Sequence, residues 1–254
     1  MKVNSIVSHL LLSIMFFSLT ALAQDMNPEA GKLFNEGNAK LKAGNYTGAV
    51  SDYDKALKIE KDYRILYQKG VSLKKAGKLE EAKHTLEETV KVKKDFEGGY
   101  NALGGVYFSM GDMNLAISNF EKVLELANNS KVKNAVKKNL ALAYTKLGSA
   151  ALADGNTDKG IENLKKAVSN NDYDAAYLAL AKVYSEVGKW DEAIAAGENA
   201  LKHRSSIGKG GPYYYIGVSY KNKGNGSKAK EMFNQAKLDA TYKKLVEYEL
   251  TLLN

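Results

Sequence analysis

Residues 100–120 read YNALGGVYFSMGDMNLAISNF, with the spacing of two short helices joined at a glycine. Gly104 precedes Gly111 by seven residues, and Ala116 and Phe120 follow at one-turn spacing on a second helix. A small residue on the first helix lets the second approach closely, while the alanine and the aromatic share one face. Gly111 suits the left-handed conformation that ends many helices. The stretch therefore predicts a helix–turn–helix unit.

The same frame occurs six times along the chain. The small anchor residues of the first helices follow one another at 33 to 36 residues, apart from one step of 44. A period near 34 residues is typical of stacked helix–turn–helix repeats. One such pair cannot bury its own apolar face, so neighbouring copies must stack. The anchors are Gly37, Gly70, Gly104, Gly148, Ala181 and Gly217.

These positions resemble the tetratricopeptide repeat family over roughly residues 27–241. The resemblance implies an all-α, right-handed superhelical solenoid. Departures from the family pattern include Gly160 in place of the alanine, Gly197 in place of the aromatic, and the absence of the closing proline. The third copy carries the pattern most fully, with Tyr100, Leu103, Gly104, Tyr107, Gly111, Ala116 and Phe120.

The frame also predicts the organisation of the whole chain. Residues 1–23 are predicted to be a cleaved signal peptide, and residues 24–254 a repeat domain closed by a capping helix, 242–253. In that helix Leu245, Tyr248 and Leu252 are taken as the apolar face. The predicted repeats are 30–63, 64–96, 97–130, 131–173, 174–207 and 210–241.

The N-terminal residues have the pattern of a secretory signal. Lys2 precedes an apolar run, Leu10–Leu22. Ala21, Leu22 and Ala23 at the end of this run form an A-x-A cleavage site. A retained membrane anchor is the alternative, but about 13 apolar residues are short for a span that needs about 20. No cysteine follows the run, so lipidation at a cysteine is excluded. We expect a periplasmic or secreted protein with no stable membrane span after cleavage.

The residue inventory gives no support for catalysis. The chain has no cysteine, which excludes disulfides, thiol catalysis and zinc–cysteine sites. His84 and His203 fall on different repeats, and no H-E-x-x-H motif is present. Asp172 and Asp174 lack the glycine and the final glutamate of a calcium loop, so a turn is favoured there. The sequence predicts a non-enzyme without cofactor or metal.

The family resemblance also implies where a partner would bind. In such repeats the first helix of each pair lines a concave groove, with groove positions three before, one after and four after the anchor. A mixture of aromatics, amides and lysines there suits an extended or helical peptide with apolar anchors and some negative charge. The candidate groove residues are Phe34, Asn38, Leu41, Tyr67, Val71, Lys74, Asn101, Phe108, Thr145, Ser149, Lys182, Ser185, Tyr214, Val218 and Lys221.

One subgroup of the family clamps the acidic C-terminal tail of cytosolic chaperones with five lysine, asparagine and arginine side chains. Asn38 matches that set, but the other four positions hold Phe34, Gln68, Gly98 and Ala102. The chaperone clamp is therefore not predicted.

The step of 44 residues predicts one long helix, 131–154, with a basic first part. Lys131, Lys133, Lys137 and Lys138 form a candidate secondary site there. The alternative is a variation in helix length without a function.

Because the net charge is +8 and lysines are spread along the chain, binding of nucleic acid or another anionic polymer is a second functional hypothesis. An accessory subunit of an enzyme or transport complex is a third. The oligomeric state is left open.

Overall fold

The computed structural model describes residues 26–253, so the predicted signal peptide lies outside the described part. All regular secondary structure in that part is helical. The helices are α1 (Pro28–Lys42), α2 (Tyr46–Ile59), α3 (Tyr63–Lys75), α4 (Leu79–Val92), α5 (Glu97–Met110), α6 (Met113–Leu126), α7 (Ser130–Ala153), α8 (Thr157–Asn170), α9 (Asp174–Glu186), α10 (Trp190–Lys202), α11 (Gly210–Asn222), α12 (Gly226–Ala236) and α13 (Lys243–Thr251).

The described residues divide into two compact units, 26–139 and 140–253. In unit 1, α1 packs on α2, α3 on α4 and α5 on α6, and neighbouring pairs meet through α2 on α3 and α4 on α5. In unit 2 the pairs are α9 with α10 and α11 with α12, joined by α10 on α11. The prediction of an all-α fold built from repeated helix pairs is confirmed.

Close approach of the two helices in a pair depends on the small anchor residue. A Cβ added at Gly104 would lie 2.7 Å from the Phe120 ring, which fills the space above it. A Cβ added at Gly37 would lie 2.6 Å from the Tyr53 ring, and a Cβ added at Gly70 would lie 2.6 Å from Leu86. A large residue one helix away therefore occupies the room that each glycine leaves.

The predicted helix-ending glycines all adopt the left-handed conformation, with φ between 75° and 91°. Asn45, Asn156 and Asn225 each follow such a glycine, and each side chain accepts a backbone N–H three residues on. The turn thus ends one helix and caps the next. The six glycines are Gly44, Gly77, Gly111, Gly155, Gly188 and Gly224.

Two elements add to the repeat pattern. The long helix is confirmed as α7, whose 24 residues span about 36 Å. In unit 2, Asp174 begins α9 and its carboxylate reaches the loop that follows α10. It accepts the backbone N–H groups of Ser205 and Ser206, both at 2.6 Å, and of Ile207 at 3.2 Å.

The register of the C-terminal helix differs from the prediction. Val246 is fully buried against α12, and Leu250 packs on the same cluster. Leu245, Tyr248 and Leu252 are instead 49%, 64% and 55% exposed. The prediction of which face is buried is therefore wrong. The helix α13 has apolar residues on two faces, and the fold buries the face of Val246 and Leu250.

Candidate functional site

Three predicted groove residues of the second repeat share one face of α3. Tyr67, Val71 and Lys74, here called the repeat-two row, follow at spacings of four and three and are half-buried. The Tyr67 ring meets Phe96 edge to face, with centroids 5.1 Å apart. Burial also raises the pKa of the Tyr67 hydroxyl. The row offers an apolar floor with a cation at one end.

The Lys74 ammonium lies between two first helices. A Cβ added at Gly105 of α5 would lie 2.7 Å from Lys74 Nζ, so the absence of a side chain there makes room for the ammonium. Within residues 26–253, no carboxylate forms an ion pair with Lys74 within 4.0 Å. Burial lowers the pKa of this lysine to about 8. An unpaired, partly desolvated ammonium is costly, and an anionic ligand would offset that cost.

Two asparagines of unit 1 leave polar atoms uncommitted. Tyr53 donates its hydroxyl to Asn38 Oδ1 at 2.8 Å, which leaves Asn38 Nδ2 buried without a partner. Asn101 Oδ1, on α5, is also buried without a partner. One group is a donor and the other an acceptor, the two kinds that a peptide backbone complements. These amides lie at predicted groove positions of α1 and α5, and both helices contact α3.

Some predicted groove residues of unit 1 belong to the core. Phe34 is 1% exposed and packs against Tyr53, with ring centroids 6.0 Å apart. Leu41 packs on the same cluster, and Phe108 is also buried. Phe34 and Phe108 are only 1% and 8% exposed, so little of either ring is available to a ligand in this structure.

The sixth repeat is covered by the chain itself. Tyr214, Val218 and Lys221, the repeat-six row, lie under α13. Lys221 Nζ pairs with Glu249 at 2.5 Å, and the Tyr214 and Tyr242 rings lie 5.4 Å apart. All three residues were predicted to face a partner. Here Tyr214 and Lys221 contact Glu249 of the capping helix, and Val218 packs on the cluster that includes Val246. The sequence reasoning missed Glu249, whose position near Lys221 depends on how α13 packs.

The remaining predicted groove residues of unit 2 are weaker candidates. Thr145 Oγ1 donates to the Ala141 carbonyl at 2.6 Å, and Ser185 Oγ donates to the Lys182 carbonyl at 2.7 Å. Both hydroxyl donors are thus used inside their own helices. Ser149 is exposed, and so is the Lys182 side chain, whose ammonium lies 3.9 Å from Glu186.

The basic part of α7 within unit 1 presents its lysines to solvent. Lys131, Lys137 and Lys138 are exposed, and Lys133 is half-buried. None of the four forms an ion pair with a carboxylate of the described residues.

Residues 26–253 contain no group of three side chains suited to hold a metal ion. None of their helices is both long and apolar enough to cross a membrane. His84 lies beside Glu87, and His203 stacks on Tyr177 with ring centroids 5.9 Å apart.

Stacked helix pairs with glycine-spaced interfaces, and a face of half-buried polar and aromatic side chains, define an α-helical repeat protein. Two family models, both described as tetratricopeptide repeat, match residues 33–63, 63–96 and 98–130 for one and 145–209 for the other. Together they cover more than half of the chain. The chain belongs to the tetratricopeptide repeat family.

Curated relatives share only part of their length with this chain. Heat shock protein STI1 of Saccharomyces cerevisiae is 32% identical over 150 residues, which are 56% of this chain and 25% of that protein. The Hsp70-Hsp90 organizing protein of Triticum aestivum is 29% identical over 92 residues, 36% of this chain and 16% of that protein. The chain thus spans about a quarter or less of the length of these two relatives.

Solved structures show the same fold. The crystal structure of MamA superposes with a TM-score of 0.50 at 26% identity, covering 65% of this chain and 92% of that one. YrrB, described as a TPR protein with an unusual peptide-binding site, gives a TM-score of 0.52 at 20% identity, with coverages of 78% and 97%.

Proposed function

We propose that this chain is a non-catalytic binding protein that holds a peptide or protein segment against the first-helix face of unit 1. The observation that carries the proposal is the set of uncommitted polar groups on α1, α3 and α5. Lys74 Nζ, Asn38 Nδ2 and Asn101 Oδ1 lack partners in the described chain. Lys74 shares α3 with half-buried Tyr67 and Val71, and α1 and α5 both contact α3.

The combination suits a peptide better than a small metabolite. Aromatic and aliphatic side chains give the contact area, while amides on neighbouring helices can pair with successive backbone groups of an extended chain. A bound segment would satisfy buried polar groups that otherwise cost free energy. No arrangement of nucleophile, base and acid in the described residues supports a catalytic alternative.

The relatives support a binding role without defining the partner. The names of two of them refer to heat-shock proteins. The chaperone clamp of the family needs five side chains, of which this chain has Asn38 only. We therefore propose a different peptide partner.

The proposed location rests on the sequence pattern of residues 1–23. A cleaved signal would place the binding protein in the cell envelope or outside the cell, as a scaffold or as an accessory subunit of a larger complex. N-terminal sequencing of the protein from its native host tests this. A mature N-terminus at Gln24 supports the location, and an intact N-terminus argues against it.

The binding proposal is tested by selecting a displayed library of random 12-residue peptides on the immobilised protein. Val71→Glu puts a charged side chain in the middle of the repeat-two row, next to Lys74, and should remove the selected peptides. Leu115→Glu is the matched control, because Leu115 is an exposed aliphatic residue on α6 of the same unit. Enrichment of peptides that bind Leu115→Glu but not Val71→Glu supports the proposal. Failure to enrich any peptide, or equal loss in both variants, refutes it.

The unpaired lysines of α7 favour a second candidate, a polyanion-binding surface. Such binding releases counterions and weakens steeply with salt. Binding of a single-stranded oligonucleotide should fall in a variant with all four lysines changed to glutamine: Lys131, Lys133, Lys137 and Lys138. Oligonucleotide binding that is unchanged in this variant excludes the surface.

A further inference from the structure

The second and sixth repeats carry the same three residues at corresponding positions. Tyr214, Val218 and Lys221 each lie 147 residues after Tyr67, Val71 and Lys74, respectively. Each row occupies one face of a first helix, with the lysine toward the helix C-terminus. The sixth repeat therefore shows how such a row is completed when its lysine has a partner.

In the sixth repeat the partner comes from the next helix. Lys221 Nζ lies 2.5 Å from Glu249, and the two side chains are only 23% and 12% exposed. The Tyr214 hydroxyl lies 3.5 Å from the other oxygen of the same carboxylate. The tyrosine and the lysine of the row thus converge on one carboxylate.

The second repeat lacks that carboxylate. Glu249 follows Lys221 by 28 residues, and the residue 28 positions after Lys74 is Ala102 of α5. Alanine cannot pair with the ammonium, and Lys74 has no ion-pair partner among residues 26–253. Two other half-buried lysines of unit 1 have carboxylate partners: Lys40 pairs with Asp52 at 2.5 Å, and Lys69 with Asp54 at 2.7 Å.

We propose that the ligand of unit 1 supplies the missing carboxylate to Lys74, so that the segment bound on the repeat-two row is acidic. This proposal rests on the proposed function and specifies the chemistry of its partner. The ligand carries an aspartate, a glutamate or a C-terminal carboxylate beside an apolar residue that packs on Tyr67 and Val71.

The first test uses the random 12-residue library with amidated C-termini, and in parallel a library with free C-termini. Selected amidated peptides should contain aspartate or glutamate beside an aromatic or aliphatic residue. Replacing that acid by its amide should weaken binding about tenfold, a typical effect of a charge-assisted contact. Enrichment only with free C-termini identifies the terminal carboxylate as the source instead.

Lys74→Met should cause the same tenfold loss for the acidic peptide, and no further loss for its amide version. Lys75→Met is the matched control, because it makes the same change at the adjacent, exposed lysine. An acidic peptide that binds Lys74→Met as tightly as wild type overturns the carboxylate proposal while the binding function stands. A library that yields no peptide at all counts against the binding function itself.

A second test moves the carboxylate into the chain. Ala102→Glu puts a glutamate at the same sequence offset from Lys74 that Glu249 has from Lys221, and should compete with the ligand, lowering affinity for the acidic peptide about tenfold. Ala102→Gln has nearly the same size and should remain within about twofold of wild type. Equal loss in both variants indicates steric blocking and contradicts this placement of the ligand carboxylate. If Ala102→Glu fails to fold, the Lys74→Met cycle with acid and amide peptides decides alone.

Discussion

The Lys221 ammonium and the Glu249 carboxylate form a 2.5 Å ion pair at the contact between α11 and α13. Because both side chains are mostly shielded from water, each charge depends on the other for compensation. The terminal helix therefore does more than cover apolar surface, since it also neutralises the lysine of the repeat-six row. The equivalent lysine of the second repeat, Lys74, has no such partner in the described chain.

Glu249→Gln should destabilise the protein by about 2 kcal/mol, because it leaves the Lys221 ammonium partly buried without a countercharge. The double variant Lys221→Met, Glu249→Leu should recover most of that loss, since no charge is left unpaired. Urea unfolding followed by circular dichroism measures both. Additive losses in the double variant would contradict the coupling of these two residues.

Lys74→Met should have the opposite effect and raise the free energy of unfolding at pH 7 by about 1 kcal/mol, since it removes an unpaired, partly desolvated charge. The gain should depend on pH. The pKa of Lys74 is lowered to about 8 in the native state, whereas an unfolded lysine titrates near 10.4. Between these values the unfolded state binds more protons, so wild-type stability rises with pH and the advantage of the variant shrinks.

Urea unfolding of both proteins from about pH 7 to about pH 10 measures this difference. Lys75→Met is the control and should give a small difference that does not vary with pH. A Lys74→Met advantage that stays constant over this range would argue against a lowered pKa at Lys74.

The repeat frame could be predicted because its signals are local. An anchor glycine, a helix-ending glycine and the following Asn cap lie within about ten residues of one another, and each has a fixed steric or hydrogen-bonding reason. The burial of Phe34 could not be predicted in this way. It depends on how Tyr53 of α2 and Ile65 of α3 pack around the ring.

The site was predictable in part for the same reason. Family spacing put Tyr67, Val71 and Lys74 on one face of α3, and the structure places them so. The Lys221–Glu249 pair joins residues 28 positions apart, across a loop whose conformation no local pattern specifies. The buried face of α13 was predicted wrongly because this helix has apolar residues on two faces, so the hydrophobic periodicity does not indicate which face is buried.

Asp174→Ala should destabilise the protein by about 3 kcal/mol, because three backbone N–H groups of the loop after α10 would lose their acceptor. Burial tends to raise the pKa of Asp174, but hydrogen bonds from the Ser206 hydroxyl and the backbone of Ser205, Ser206 and Ile207 outweigh it and lower the pKa. Its contribution is therefore complete above the unfolded pKa of about 3.9 and is lost as pH falls through the lower native value.

Thermal unfolding at neutral and acidic pH tests this prediction. At neutral pH, Asp174→Asn should lower the melting temperature less than Asp174→Ala does, since an amide oxygen still accepts hydrogen bonds. As the pH falls, the melting temperature of Asp174→Asn should also decrease less steeply than that of wild type. Asp154→Asn, at an exposed position after α7, is the control and should leave the melting temperature nearly unchanged. If the melting temperature of wild type decreases no more steeply with falling pH than that of Asp174→Asn, the assigned pKa shift is contradicted.

Gly104→Ala should cost about 2 kcal/mol through overpacking, because its methyl group would lie 2.7 Å from the Phe120 ring. In a Phe120→Leu background the same change should cost less, since the smaller side chain can move aside. Gly111→Ala is the contrast. Its added methyl meets nothing within 4 Å, but φ is 91°, so its cost of about 1 kcal/mol should be independent of Phe120→Leu. Denaturant unfolding of the five variants gives both coupling energies, and equal coupling at both glycines would refute the distinction.

Val246→Ala should cost about 2 kcal/mol, because Val246 is the fully buried contact of α13 with the last repeat. Tyr248→Ser removes a larger apolar side chain from the same helix, yet should change stability by less than about 0.5 kcal/mol because Tyr248 is 64% exposed. Hydrogen exchange of the α11 and α12 amides should accelerate in the valine variant alone, since the lost contact loosens the edge of the final repeat. If Tyr248→Ser instead produces the greater loss, the helix packs with its other face inward and Glu249 cannot reach Lys221.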